Sequence, residues 1–191
     1  MARKRDSATT RELILRAAED VVIADGVARL TLEKAAARAG VSKGGVLYHF
    51  ATRNDLVAAM VERLATRFQA GMDDVRAAHP HYSFARAYLE ECLAAPAEGE
   101  PVPHEERVGS ALIAAIAAEP ALLAPLRAAF GGWQHQIEQS ADPVAATIAR
   151  LAADGLWLCE LFGIDGLSPQ LREQVAHRLR LLVDHAPREQ S

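Results

Sequence analysis

A short stretch near the N-terminus holds the side chains of this sequence that are best suited to binding an anion. Lys43, Tyr48 and His49 can each donate a hydrogen bond, and Gly44 and Gly45 leave the backbone beside them uncovered. No acidic residue interrupts them. Donors without acids suit contact with phosphate groups, so we expect this stretch to face a polyanion.

Two short helices are predicted to hold these donors in place. Thr31 can cap the first helix, which Gly40 closes, and Ser42 can cap the second, which runs to about His49. Small alanines let the two helices approach closely, and Phe50 anchors the second helix to the core. Helix, tight turn and helix in this order can place the second helix in the major groove of double-stranded DNA.

The rest of the chain is also dense in helix signals, and no stretch shows the alternation of a strand. Thr9 with Glu12 forms a capping-box pattern for a first helix that ends at Gly26, and a second such pattern at Thr52 begins a connector helix over residues 53–78. Further helices are predicted at about 83–95, 104–118, 120–139, 143–163 and from 169 onwards. We therefore expect an all-α fold of about nine helices.

Charge is distributed unevenly along the sequence. The net charge is −4, but residues 1–53 hold ten basic and six acidic residues, whereas residues 54–191 hold eleven and nineteen. A cationic head on an anionic body suggests a polyanionic partner for the head alone, although a chance fluctuation is the alternative. No apolar run is long enough to span a membrane and no signal peptide is recognisable, so we expect Cys92 and Cys159 to be reduced thiols in the cytoplasm.

A resemblance to a known family follows from residues 26–56. The matching positions are Gly26, Thr31, Leu32, Ala36, Ala39, Gly40, Val41, Ser42, Lys43, Gly44, Gly45, Tyr48, His49, Phe50, Arg53 and Leu56. This pattern resembles the DNA-binding domain of the TetR family of transcriptional regulators. The resemblance implies a helix-turn-helix DNA-binding domain over residues 1–52 and an effector-binding and dimerisation domain over residues 53–191. It also implies a dimeric repressor that binds a palindromic operator and is released by a small molecule.

The resemblance assigns roles to single residues of the first domain. Lys43, Gly44 and Gly45 would lie nearest the base edges, and Tyr48 and His49 would contact phosphates. The full set of predicted DNA-binding residues is Thr31, Ser42, Lys43, Gly44, Gly45, Tyr48, His49 and Arg53. The sequence departs from the family pattern at Leu47, where Tyr is frequent, and at Gly45, which has no side chain to read a base. Specificity is therefore left to Lys43, to residues before the motif such as the basic run Arg3–Arg5, or to DNA shape.

The last two helices are the predicted dimer interface, because two such helices from each subunit would form a four-helix bundle. The residues assigned to this interface are Leu151, Gly155, Leu158, Cys159, Leu171, Val175, Leu179 and Leu182. The alternative is that these apolar stripes face the core of their own subunit.

An effector pocket is predicted around the glycine pair Gly131 and Gly132. Two glycines inside a helix cost roughly 1 kcal/mol each, which is easier to understand if the backbone must leave space there. The predicted lining residues are Leu112, Ile116, Phe130, Trp133, Trp157 and Phe162, which suit an apolar or aromatic effector. An ordinary core with a helix break is the alternative.

Other classes of function have less support in the sequence. The motif His79-Pro80-His81 together with His104 could suggest a metal enzyme, but no Cys or Asp lies at ligand spacing. No phosphate-binding glycine loop or nucleophile elbow is present, so no catalytic activity and no cofactor are expected. A transcriptional activator of the same fold and a helical protein-interaction module remain as alternatives.

Overall fold

The computed structural model describes residues 7–94, 103–116, 120–164 and 166–184. The chain divides into two compact units. The first unit comprises Met1–Ala65 and Val102–Arg127, and the second comprises Thr66–Pro101 and Ala128–Ser191. The division falls inside the predicted connector helix, so the compact units do not coincide with the functional domains expected from the sequence, whose boundary at residue 52 stays a prediction.

The described residues form nine α-helices and two short 3-10 helices, with no strand among them, which confirms the all-α prediction. The α-helices are α1 (Ser7–Asp25), α2 (Leu32–Ala39), α3 (Lys43–His49), α4 (Arg53–Ala78), α5 (Phe84–Leu93), α6 (His104–Ile116), α7 (Ala124–Ile137), α8 (Pro143–Leu161) and α9 (Pro169–Asp184). The 3-10 helices span Val27–Arg29 and Pro120–Leu123. Within the described ranges, no helix is both long and apolar enough to cross a bilayer.

Local capping chemistry fixes most helix starts. The Thr31 hydroxyl accepts a hydrogen bond from the Lys34 amide at 3.1 Å, and Thr52 and Asp55 exchange side-chain to backbone bonds in a complete capping box. Two starts differ from the prediction. Thr9 lies inside α1 rather than at its cap, and the chain from residue 120 first forms a 3-10 turn, so that α7 begins only at Ala124.

The core of the first unit is built mainly from apolar residues of the first four helices, together with Val108 and Leu112 of α6. Ala18 of α1 and Ala35 of α2 are fully buried, which allows these two helices to pack closely. Gly40 closes α2 in the left-handed conformation, at φ +64°, and so turns the chain into α3. This arrangement holds α3 against the core by Val46 and leaves its opposite side exposed.

The second unit contains α5, α8 and α9, which pack against one another. Ion pairs join them at their edges: Arg180 of α9 holds the Glu90 carboxylate of α5 at 2.8 Å, and Arg172 of α9 binds Glu160 of α8. Helices α8 and α9 carry the residues predicted for the subunit interface, and α5 carries Tyr88, which contacts aromatic residues of α4 and α7.

Candidate DNA-binding surface and effector domain

Helix α3 presents a polar side to solvent. The Ser42 hydroxyl caps the helix by accepting a hydrogen bond from the Gly45 amide at 3.1 Å. Val46 and Phe50 are buried and fix the helix to the first unit, whereas the Tyr48 side chain is 79% exposed. The Tyr48 ring meets the His49 ring edge-on at 5.1 Å and is largely open to solvent, which suits a residue predicted to contact a phosphate.

The Lys43 ammonium group at the start of α3 is already paired. It lies 2.6 Å from the Glu33 carboxylate of α2, and both side chains are exposed. The hydrogen bond from Lys43 is the main reason why the pKa of Glu33 lies below its usual value. The sequence analysis did not include Glu33, because only the packing of α2 against α3 brings the two charges together.

Arg53, predicted to face the DNA backbone, binds within the first unit. Its guanidinium group donates to the Leu30 carbonyl at 3.1 Å and to the Val27 carbonyl at 2.9 Å. The Val27 carbonyl also accepts from the Leu30 amide at 3.0 Å, so Arg53 adds a second donor there and ties the 3-10 turn and the chain that leads into α2 to the start of α4. These donors are not available to a phosphate in this structure.

Four aromatic rings form a cluster in the second unit. Trp133 of α7 lies with its ring centroid 5.0 Å from those of Phe68 and Phe130, and the Phe68 and Tyr88 rings meet edge-on at 5.1 Å. The Trp133 indole donates a hydrogen bond to the Gln69 side-chain oxygen at 2.8 Å. These contacts give the second unit a largely buried aromatic cluster whose central ring, Trp133, has its indole N–H satisfied by Gln69.

A half-buried acid, Asp154, adjoins this aromatic cluster. The Tyr88 hydroxyl donates to the Asp154 carboxylate at 2.6 Å, and Arg150 donates to the same carboxylate at 2.7 Å. Burial raises the pKa of Asp154 above its usual value despite these two donors, and burial together with the nearby Asp154 charge raises the pKa of Tyr88. The Arg150 guanidinium also lies 5.9 Å from the centre of the Phe130 ring.

An apolar stripe runs along the exposed side of α8. Ile148, Leu151, Leu158 and Phe162 follow one another at steps of three, four or seven residues and are all exposed, Leu151 by 55%. Leu171 and Leu182 of α9 are exposed as well. We call these six residues the apolar face. Large exposed apolar patches usually mark interaction surfaces, whereas single exposed apolar residues are common on any protein surface.

The comparisons with known proteins agree with this geometry. The profile described as "Bacterial regulatory proteins, tetR family" matches residues 14–60, and the profile described as "Tetracyclin repressor-like, C-terminal domain" matches residues 82–184, more than half of the chain. The chain belongs to the TetR family. It is a TetR-family transcriptional regulator whose α2 and α3 form the helix-turn-helix.

Individual relatives support the same conclusion. The HTH-type transcriptional repressor BepR of Brucella suis is 40% identical over 60 residues, which cover 31% of this chain and 29% of BepR, so this match spans under a third of either protein. A solved TetR-family structure from Streptomyces coelicolor A3 is 25% identical with a TM-score of 0.70, and the match covers 91% of this chain and 98% of that one. The multidrug binding protein EbrR, solved in complex with malachite green, is 28% identical with a TM-score of 0.64, covering 91% and 97%.

Of the predicted effector-binding residues, the structure brings Phe130 and Trp133 together. Trp157 is half-buried on α8, and Phe162 is 51% exposed and belongs to the apolar face. Leu112 is buried in the core of the first unit, and the side chain of Ile116 lies outside those that the structure describes. The sequence analysis missed Phe68 and Tyr88 as partners of Trp133, although Phe68 lies on the apolar side of the connector helix.

The predicted subunit-interface residues divide in a similar way. Leu151, Leu158, Leu171 and Leu182 are exposed on the apolar face, and Gly155, Cys159 and Val175 are half-buried on the same two helices. Leu179 is only 6% exposed and therefore packs within its own subunit.

The alternative of a metal site relied on His104, and the structure pairs His104 with Glu19 at 3.2 Å.

Proposed function

We propose that this TetR-family regulator is a repressor that binds a palindromic operator as a dimer and releases it when a small apolar or aromatic effector binds. The proposal depends above all on one observation, the exposed polar side of α3, where Tyr48 is 79% exposed and the Lys43 side chain also reaches solvent. The name of the relative BepR, a transcriptional repressor, supports the negative sign of regulation.

DNA contact by α3 is tested by measuring affinity at several salt concentrations. Because each phosphate contact releases counterions, operator affinity of the wild-type dimer should fall steeply with salt, and replacing Lys43, the cation we place nearest the bases, by Gln should weaken operator binding by about tenfold. Tyr48→Ala should weaken binding by about tenfold without changing the melting temperature. Arg76→Gln, which removes an exposed cation of α4 outside the helix-turn-helix, is the matched control.

Dimerisation would place two copies of α3 roughly 34 Å apart, the separation of successive major grooves on one side of DNA. The apolar face is the surface we assign to this contact, because its residues are exposed in a single subunit and would be buried in a four-helix bundle. Leu151→Glu should convert the dimer to a monomer in light scattering at micromolar concentration. Ala70→Glu, an exposed alanine of α4 given the same charge, should leave the mass unchanged. A monomeric wild-type protein at 100 µM would contradict this part of the proposal.

We assign effector binding to the aromatic cluster of Phe68, Tyr88, Phe130 and Trp133, in which Phe68 and Phe130 are half-buried and Tyr88 and Trp133 are buried. EbrR, to which this chain is similar over most of its length, has been solved with malachite green and with ethidium, both aromatic compounds. In a Trp157→Phe variant, Trp133 is the only tryptophan. Saturable quenching of its fluorescence by malachite green, weakened at least fivefold by Phe130→Ala, is the expected result.

Release of DNA would follow a shift between two conformers. An effector that binds one conformer more tightly favours it, and in our proposal that conformer has α4 tilted so that the two copies of α3 no longer match adjacent grooves. Operator affinity is therefore expected to fall at least tenfold at saturating malachite green. Equal affinity of the free and the saturated protein for the operator would show that no such coupling exists.

A further inference from the structure

The ion pair between Glu33 and Lys43 lies within the surface to which we assign DNA contact, so this inference depends on the proposed function. The Lys43 ammonium is 2.6 Å from the Glu33 carboxylate, and both side chains reach solvent. The Glu33 backbone amide and the Thr31 hydroxyl add to the effect of Lys43 and lower the pKa of the Glu33 carboxyl. One negative charge, paired with Lys43, is therefore held at the surface predicted to contact DNA.

A fixed carboxylate affects phosphates and bases differently. A DNA phosphate that approaches Lys43 carries a full negative charge and is repelled by Glu33 at the same short distance. A guanine edge offers neutral N7 and O6 acceptors, which are not repelled in this way. Because an ammonium group has three N–H donors, Lys43 can keep Glu33 and still donate to a base.

We infer that Glu33 sets the selectivity of DNA binding, by withholding the Lys43 ammonium group from phosphates while leaving it able to donate to a base. In this chain Gly44 and Gly45 have no side chains with which to read bases. The restraint by Glu33 therefore makes Lys43 a base-reading residue of α3. Glu33 itself acts through Lys43 and needs no contact with DNA.

The test compares wild type, Glu33→Gln, Lys43→Gln and the double variant on two duplexes. One duplex is selected by the wild-type protein from a randomised library, and the other is a fixed, unrelated sequence of the same length. Affinities are measured by fluorescence anisotropy over a series of salt concentrations. The matched control is Glu62→Gln. Glu62 is another exposed acid of the first unit, and it lies on α4 about 13 Å from the start of that helix.

Glu33→Gln should bind the unrelated duplex about five- to tenfold more tightly than wild type, with a salt slope steeper by about two per dimer. Affinity for the selected duplex should rise by no more than about twofold, so that the ratio of the two affinities falls. The double variant should match Lys43→Gln, because Glu33 has no effect without the ammonium group. Glu62→Gln should match wild type on both duplexes.

Two results would overturn the inference. Affinity of Glu33→Gln for the unrelated duplex within twofold of wild type would show that the carboxylate does not restrain Lys43. A loss of affinity for the selected duplex equal to that of Lys43→Gln would show that Glu33 orients Lys43 or binds a base itself. In both cases wild type and Lys43→Gln still bind as the proposed function requires. If wild type binds neither duplex, the proposed function fails, and this inference fails with it.

Discussion

Replacing Glu19 by glutamine is expected to destabilise the first unit strongly. Glu19 of α1 is 0% exposed, the one fully buried charged side chain among those that the structure describes. Its carboxylate lies 3.3 Å from the Arg63 guanidinium of α4 and 3.2 Å from the His104 imidazole of α6. Arg63 in turn binds Glu12, which lies about two turns before Glu19 on the same face of α1, at 2.6 Å. The cluster therefore ties three helices together around one buried charge.

The size of the effect follows from what the substitution leaves behind. Removing one partner of a buried ion pair costs roughly 3–5 kcal/mol, because the remaining charge is buried without compensation. Arg63 keeps Glu12 and is 10% exposed, which reduces the expected loss in the free energy of unfolding to about 2–3 kcal/mol. For a chain of this length that corresponds to a fall in melting temperature of roughly 5–10 °C.

Urea unfolding followed by circular dichroism measures this loss, with protein concentration held fixed because association adds to apparent stability. The control is Glu62→Gln, whose exposed partner Arg11 is 4.0 Å away and which should change stability by less than about 0.5 kcal/mol. Replacing Glu19 and Arg63 together by methionine should recover most of the loss, since buried pairs can often be exchanged for apolar residues at little cost. Equal stability of Glu19→Gln and Glu62→Gln would refute the argument.

Other substitutions probe single features of the structure. Gly40→Ala should lower the free energy of unfolding by about 1 kcal/mol, because φ is +64° there. Gly131→Ala should raise the free energy of unfolding by up to about 1 kcal/mol, because Gly131 is helical and has open space for a Cβ. A thermal melt that ranks the two variants the other way would contradict this. Tyr88→Phe should cost about 1–2 kcal/mol in the same assay, since it removes a 2.6 Å hydrogen bond to the half-buried Asp154 carboxylate. Burial raises the pKa of Cys92 to about 12, so at pH 8 only about one molecule in ten thousand holds the thiolate, and a thiol reagent should label Cys92 only after denaturant is added. Rapid labelling of Cys92 in the native protein would refute its burial.

Helix starts were predictable where both partners of the cap lie close in sequence. Ser42 with the Gly45 amide and Asp142 with the Ala145 amide are pairs three residues apart, so the sequence contains the whole interaction. Thr9 shows the limit of this reasoning. A capping pattern also occurs inside a helix that begins earlier, and the pattern alone does not identify which threonine the backbone uses.

The direction in which an apolar stripe faces was harder to predict. Along α9, Leu182 lies about 20° around the helix from Leu171, but Leu179 lies about 80° away, since each residue turns the chain by about 100°. Leu171 and Leu182 are accordingly exposed together while Leu179 is buried. Periodicity identified the stripe, but the packing of α5 and α8 against α9 decides which edge of it is covered, and that packing is not local in sequence.

The glycine pair in α7 gives a similar lesson. Both Gly131 and Gly132 have open space where a Cβ would be, so close packing does not require either of them. Phe130 and Trp133 are on the same helix, and Trp133 is the residue that is buried. The aromatic cluster thus follows from helix periodicity and from Phe68 and Tyr88 on other helices, not from a void left by the glycines.

Ion pairs within the first unit change what the excess of basic residues in the first 53 positions implies for DNA binding. Lys34 is paired with Asp25, Arg38 with Asp20 and Lys43 with Glu33, each cation of α2 or α3 with an acid of α1 or α2. Pairing leaves the net charge unchanged, so attraction to DNA beyond about a Debye length, roughly 8 Å at physiological salt, is the same as the count predicts. At contact, each phosphate must exchange with a carboxylate that is already in place. Composition therefore predicts how fast this surface finds DNA better than how tightly it holds an arbitrary sequence.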